Sequence, residues 1–134
     1  LISAVEGVGI AVKDVMASPI AGSLVTLSRA QKMVGAVLAN IGAETVSLVV
    51  FENDIPISLK VFPIGSSDIT NDIALGLKIS LEEAEQLKVG ALVGVAYHKK
   101  KLDDIIIARL KDIFELIDSH LKKLVENSRK HFVR

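Results

Sequence analysis

The sequence has no cysteine, no tryptophan, one tyrosine and three prolines. The missing cysteines exclude disulfides, thiolate catalysis and sulfur-ligated zinc, and they fit a reducing, cytoplasmic setting. Aromatic residues make up only 4%, which leaves no material for base-stacking platforms, so no nucleic-acid partner is expected and aliphatic side chains must supply the core. Charge of one sign is also lacking: 16 basic residues offset 16 acidic ones, and the balance favours neither nucleic acid nor an anionic membrane. No run reaches the roughly 18 uncharged apolar residues that span a bilayer, because Lys60, Asp68, Asp72 and Lys78 interrupt the longest candidates. No basic cluster precedes the apolar start, Leu1 to Ile10, so it does not read as a secretory signal.

What is present is aliphatic. Half of the 134 residues are hydrophobic, ample for one compact core. The run Ile10 to Ala17 predicts a short strand, and Pro19 a first helical turn for a helix over Ile20 to Ser28. Met33 to Ala39 is nearly continuous in apolar residues, the pattern of a central strand covered on both faces. Asn40 to Thr45 forms a turn before a second run, Val46 to Phe51, and Asn53-Asp54 turns the chain into a third, Ile57 to Ile64. There Ile57, Leu59 and Val61 alternate with Ser58 and Lys60, which predicts apolar residues inward and polar ones outward. The expected product is an antiparallel meander of three strands.

Helical spacing then takes over. Ile69, Ile73, Leu75 and Leu77 predict a helix with Ser67 or Asp68 as N-cap, and Ser80-Leu81-Glu82-Glu83 is a capping box opening a helix through Lys88, ended by Gly90. Leu102, Ile105, Ile106, Leu110, Ile113, Phe114, Ile117, Leu121 and Leu124 recur at intervals of three and four, one apolar stripe on a long helix. The basic run His98 to Lys101 before it suits a solvated helix entrance, or a phosphate or lipid contact. A subdomain boundary is expected near Ala91 to Tyr97.

Two loops have the form of anion sites. Asn40-Ile41-Gly42-Ala43-Glu44-Thr45 and Pro63-Ile64-Gly65-Ser66-Ser67 each follow an apolar strand. Glycine lets backbone amides approach an anion closely, Thr45 adds a hydroxyl, and the second loop opens a helix whose first amides and dipole favour phosphate. Glycine in such a turn serves a purely structural purpose equally well, and the residues alone leave both readings open.

Taken together, four elements in order resemble the FtsA family of the actin, Hsp70 and MreB superfamily. The family's hairpin pattern Asp-x-Gly-x-x-Thr stands here as Asn40-Ile41-Gly42-Ala43-Glu44-Thr45, and its Pro-x-Gly as Pro63-Ile64-Gly65. Its two helix patterns stand as Ile69-Thr70-Asn71-Asp72-Ile73-Ala74 and Ala84-Glu85-Gln86-Leu87-Lys88. Pro19-Ile20-Ala21 and the stretch Ile106 to Glu115 resemble flanking helices of the same family.

The resemblance implies an α/β, actin-like (ribonuclease H-like) ATPase subdomain. Residues 1–92 would form subdomain 2A, with the phosphate hairpin and the adenosine-side helix. Residues 93–134 would form part of subdomain 2B, with the long helix. It implies ATP as ligand, with Gly42, Ala43, Glu44 and Thr45 beside the β- and γ-phosphates, Gly65 at the second corner, and Glu85 to Lys88 along the adenosine. Mg²⁺ would be held only weakly and through water by Asn40, which stands where the family usually has Asp and lacks its charge. Ser18, where MreB-like members have Glu, cannot act as a carboxylate base, so weak or no hydrolysis is expected.

A filament-forming scaffold of cell division follows from the resemblance, self-associating and tethering FtsZ at the inner face of the cell membrane. The membrane helix would lie outside this sequence, which is expected to be a fragment of a longer chain. Alternatives of the same fold are a PilM-like adaptor of type IV pilus assembly and a true MreB- or Hsp70-like ATPase. Arg109, Lys111, Lys122 and Lys123 are candidate partner contacts on the long helix.

Overall fold

The computed structural model describes residues 1–91 and 97–131, with side chains described for residues 1–91 and 97–127. Its elements are α1 (Ile2–Glu6), α2 (Ser18–Thr26), α3 (Arg29–Val34), β1 (Ala36–Ile41), β2 (Val46–Glu52), β3 (Ile55–Phe62), α4 (Ser66–Leu77), α5 (Leu81–Lys88) and α6 (Lys99–His131). The three strands form one sheet in the order β1-β2-β3, the antiparallel meander expected. Asn53 and Asp54 both take positive φ, 53° and 65°, the geometry that lets a two-residue turn follow the twist of its strands. The boundary expected at 92/93 falls on residues outside those described.

Several local expectations are corrected. Residues 10–17 pair with no strand among the described residues, and an extended segment without a ladder is not a strand. Met33 and Val34 end a helix instead of starting β1. Ser28 caps that helix: its hydroxyl accepts from the Gln31 amide, while the Gln31 side chain accepts from the Ser28 amide. Gly35, at φ 111°, then turns the chain into β1, a conformation that favours glycine. The central strand is β2, not β1, and Val46, Ser47, Leu48, Val49 and Phe51 are its buried residues. On β3 the expected burial of the apolar face does not occur: Ile57, Leu59 and Val61 are exposed, as is Lys60, and Phe62 is the buried residue of the strand. Alternation sets which residues share a face, but a layer packed over that face decides whether they are buried.

By contact density the chain divides into two compact units, residues 1–38 with 49–59, and residues 39–48 with 60–134. In the first, the Asp54 amide donates to the Lys32 carbonyl at 3.0 Å, Arg29 pairs with Asp54 at 3.3 Å, and the buried Lys32 lies with Nζ 5.2 Å from the centre of the Phe51 ring. These contacts hold α3 to the β2–β3 turn, and the cation over the ring compensates part of the cost of burying it.

The second unit contains the helical core, formed by Ile69, Ile73, Ala74, Ala84, Leu87 and Leu102, with Leu77, Ile79, Ile105, Ile106 and Leu110 packed against it. Burying a side chain of the size of Ile73, fully enclosed here, stabilises by about 1.5–3 kcal/mol. Leu75, expected inside with the other apolar residues of α4, is exposed, as is Phe114 of the α6 stripe. Each sits a fraction of a turn away from the buried line, and the helix period decides their side. At Gly76 an added Cβ would stand 2.5 Å from Ile105 Cδ1, so its lack of a side chain lets α4 and α6 approach. Lys78 ends α4 in the left-handed conformation, φ 57° and ψ 47°.

Candidate functional site

The two glycine corners named from the sequence meet directly. The hairpin between β1 and β2 is closed by the Gly42 amide donating to the Thr45 carbonyl at 2.9 Å. The carbonyls of Gly42 and Ala43 accept the amides of Ser66 and Ser67, at 2.9 and 2.8 Å. A Cβ placed on Gly65 would lie 2.3 Å from the Ala43 oxygen and 2.7 Å from the Gly42 oxygen. Gly65 has φ −161°, extended backbone that any residue adopts, so the requirement for glycine is the contact itself.

This joint alters the reading of the second loop. The amides at the start of α4, expected to face an anion, are engaged: Ser66 and Ser67 donate to the hairpin, Gly65 donates to the Asp68 carboxylate at 2.8 Å, and Asp68 donates to the Gly65 carbonyl at 3.2 Å. Asp68 is therefore not the N-cap but the third helical residue, its carboxylate reaching back to the amide before the helix, where the dipole favours negative charge. Among the described residues, the amides of Ala43 and Glu44 take no backbone or side-chain acceptor, and Ala43, Glu44 and Thr45 are exposed. The exposed backbone donors are thus at the tip of the hairpin.

The third part is the inner face of α5. Lys88 Nζ donates to the Ser66 carbonyl at 3.1 Å and to Thr70 Oγ1 at 2.9 Å, and pairs with Glu85 Oε2 at 2.7 Å. All three ammonium protons are used, and the Lys88 side chain is 16% exposed against 50% for Glu85. Hydrogen bonds from Lys88 and Thr70 hold the Glu85 carboxyl below the usual carboxylate range. The expected contacts Glu85 and Lys88 therefore stand at one end of the unit with Ser66, which is bonded to the hairpin. Thr70 was not singled out from the sequence as a site residue; its hydroxyl gives no signal until α5 is placed against α4.

Magnesium finds little here. Asn40 is exposed near the end of β1, and no group of three or more His, Cys, Asp or Glu residues capable of holding a metal ion occurs among the described residues. A hard cation is attracted by several anionic oxygens, so the residues present do not fit a protein-held Mg²⁺, and no step is assigned to one. Two expected partner contacts are also engaged. Arg109 grips Asp72 of α4 with Nε at 2.6 Å and Nη2 at 2.9 Å, and Lys122 pairs with Asp118 at 2.6 Å. No helix among the described residues is long and apolar enough to cross a membrane.

Residues 37–126 match the family described as cell division protein FtsA. The FtsA of Bacillus subtilis is 31% identical over 92% of this chain and 33% of its own length, and that of Borreliella burgdorferi 27% identical over 92% and 35%. The chain thus spans about a third of the length of these relatives. Among solved structures, a chain of the PilM-PilN type IV pilus biogenesis complex superposes with a TM-score of 0.69 at 24% identity, covering 90% of this chain and 34% of that one. The ethanolamine utilization protein EutJ from Carboxydothermus hydrogenoformans gives 0.57 at 22%, covering 93% and 41%. These two likenesses are of fold. With the family match extending over most of the chain, through the glycine hairpin, α4, α5 and most of α6, this actin-like chain belongs to the FtsA family of cell division proteins.

Proposed function

We propose that the hairpin Gly42 to Thr45, braced by Gly65, forms one wall of an ATP site, and that within a chain of the relatives' length it serves a filament-forming scaffold that tethers FtsZ to the membrane. The observation that carries this reading is the backbone joint of Gly42 and Ala43 to Ser66 and Ser67. It anchors the base of a hairpin whose exposed tip residues, Ala43 and Glu44, have amides with no acceptor among the described residues. Preorganised amides stabilise an anion without reordering when it binds. Lys88, its ammonium fully engaged, would offer its stem to the adenosine, and Glu85 its exposed carboxylate edge.

Weak or absent hydrolysis is part of the proposal. Asn40 brings no charge to a metal, and Ser18, at the start of α2, brings no carboxylate to activate water. The PilM likeness supports a shared architecture, while the family match favours division over pilus assembly.

The test is ATP binding by the full-length protein, with Gly42→Val, whose Cβ would stand 3.1 Å from the Thr45 carbonyl and press on the closure of the hairpin. Binding by the natural protein and its loss in the variant, with the fold intact by circular dichroism, is the expected result. Unchanged affinity in Gly42→Val would refute the hairpin's role. Phosphate release should stay well below about one per second, and Asn40→Asp should raise it if the missing charge is the cause. Co-sedimentation of the protein with FtsZ and lipid vesicles tests the scaffold.

A further inference from the structure

Thr70 is 7% exposed on α4, and its hydroxyl stands among three polar groups. Glu85 Oε2 is 2.5 Å away, Lys88 Nζ 2.9 Å and the Ser66 carbonyl 3.3 Å. A threonine hydroxyl has one proton and can accept as well. Lysine only donates, so Thr70 accepts there. Its proton goes to Glu85, because that contact is both shorter and charge-assisted. Lys88 in turn reaches the carbonyl of Ser66, whose amide is bonded to Gly42. An unbroken chain of hydrogen bonds thus runs from the glycine hairpin, through the first turn of α4, to the exposed end of α5.

Packing does not require this hydroxyl. Ile69, Ile73, Ala84 and Leu87 already join α4 to α5 through apolar contacts. Without Thr70, Glu85 and Lys88 would be an i, i+3 pair on a helix, a weak contact with both side chains free to rotate. Two long side chains that must be ordered at the moment of binding each cost affinity.

We infer that Thr70 is a positioning residue for the bound nucleotide: it pins Lys88 and Glu85 on α5 at a fixed separation from the hairpin, so that base-side and phosphate-side contacts are held ready together. The inference rests on the ATP-binding reading above and adds to it which residue sets the base-side geometry.

The experiment compares ATP with inorganic tripolyphosphate as ligands of the full-length protein, in the natural form and in Thr70→Val, Thr70→Ser, Lys88→Met and Thr70→Val/Lys88→Met. Thr70→Val keeps the volume and removes the hydroxyl; it should weaken ATP binding by about tenfold, the worth of a charge-assisted hydrogen bond, and leave tripolyphosphate binding unchanged. Thr70→Ser should restore ATP binding. The double variant should bind ATP no worse than Lys88→Met alone, because a residue that acts through another contributes nothing once that other is gone.

Equal weakening of both ligands in Thr70→Val, or additive losses in the double variant, would show a merely structural role and overturn the inference. So would unchanged ATP affinity in Thr70→Val. If the natural protein binds neither ligand, the nucleotide reading falls and takes this inference with it. If it binds both and only the Thr70 variants behave as wild type, the nucleotide reading survives alone. Should Thr70→Val lose its fold, Thr70→Ala, which also lacks the hydroxyl, takes its place with the same expected and overturning results.

Discussion

Ser66 donates its backbone amide to the carbonyl of Gly42 at 2.9 Å, and with the Ser67 amide on the Ala43 carbonyl this bond fixes the start of α4 to the hairpin between β1 and β2. Loops usually carry function by being mobile; here the two loops named from the sequence brace each other. Gly65 is the residue that permits the approach.

Substitution Gly65→Ala should therefore be costly. Its Cβ would fall 2.3 Å from the Ala43 oxygen and 2.6 Å from the Ala43 carbonyl carbon, and backbone cannot step aside as a flexible side chain does. Overpacking of this kind costs about 1–3 kcal/mol. The urea midpoint should fall accordingly, with the slope unchanged. A midpoint equal to that of the natural protein would mean that the joint is not rigid.

The pair Arg109–Asp72 joins α6 to α4 through two parallel hydrogen bonds, with both side chains between a quarter and a third exposed. Asp72, with Asp112 and Asp68 beyond it, holds the Arg109 guanidinium even more firmly protonated than usual. Removing either partner should cost about 1–3 kcal/mol, the range for a hydrogen bond to a charged group. Arg109→Lys should recover only part of the loss, since an ammonium cannot make the two-pronged contact. In a double-mutant cycle by chemical denaturation, Arg109→Ala and Asp72→Ala should be less than additive; strict additivity would show that the contact is not formed in solution.

Acid should loosen α5. Bonds from the Ser80 amide and hydroxyl lower the pKa of Glu83, and Lys88 and Thr70 lower that of Glu85. A folded-state pKa below the unfolded one stabilises the fold above the unfolded value and loses that stabilisation as pH falls through the folded one. The melting temperature should thus decline as pH drops from neutral through the carboxylate range, about 4 and below. Glu83→Gln keeps the capping geometry, and with Glu85→Gln it should flatten the decline. An identical pH profile in the doubly substituted protein would contradict this assignment.

Lys78 offers a gain in stability. It ends α4 at φ 57°, ψ 47°, with the following amide, that of Ile79, bonded to the Ala74 carbonyl at 3.1 Å. A side chain in this left-handed conformation costs roughly 1–2 kcal/mol, and glycine is the usual residue at such an end. Lys78→Gly should raise the melting temperature, by a few degrees for about 0.5–1 kcal/mol in a chain of this size. A lower melting temperature would mean that the Lys78 side chain makes a contact worth more than the strain.

Much of this protein is determined locally, and that part is legible in the residues themselves. Ser80 and Glu83 form the capping box that their spacing predicts, and the α6 stripe keeps Leu102, Ile113 and Ile117 inside, because caps and helical period depend on neighbours a turn away. The turn at Asn53-Asp54 and the three-strand meander follow for the same reason. Ser28 and Gln31 carried the same capping signal as Ser80 and Glu83, yet the apolar run after them read as strand. Only the tertiary structure decided that β2, not β1, is central, that the apolar edge of β3 lies open, and that Arg109 is committed to Asp72. It also decided that the first amides of α4 serve the hairpin and that Thr70 stands beneath Lys88. These depend on which element comes to lie against which, at separations of tens of residues, and no periodicity within a segment encodes the partner that will meet it.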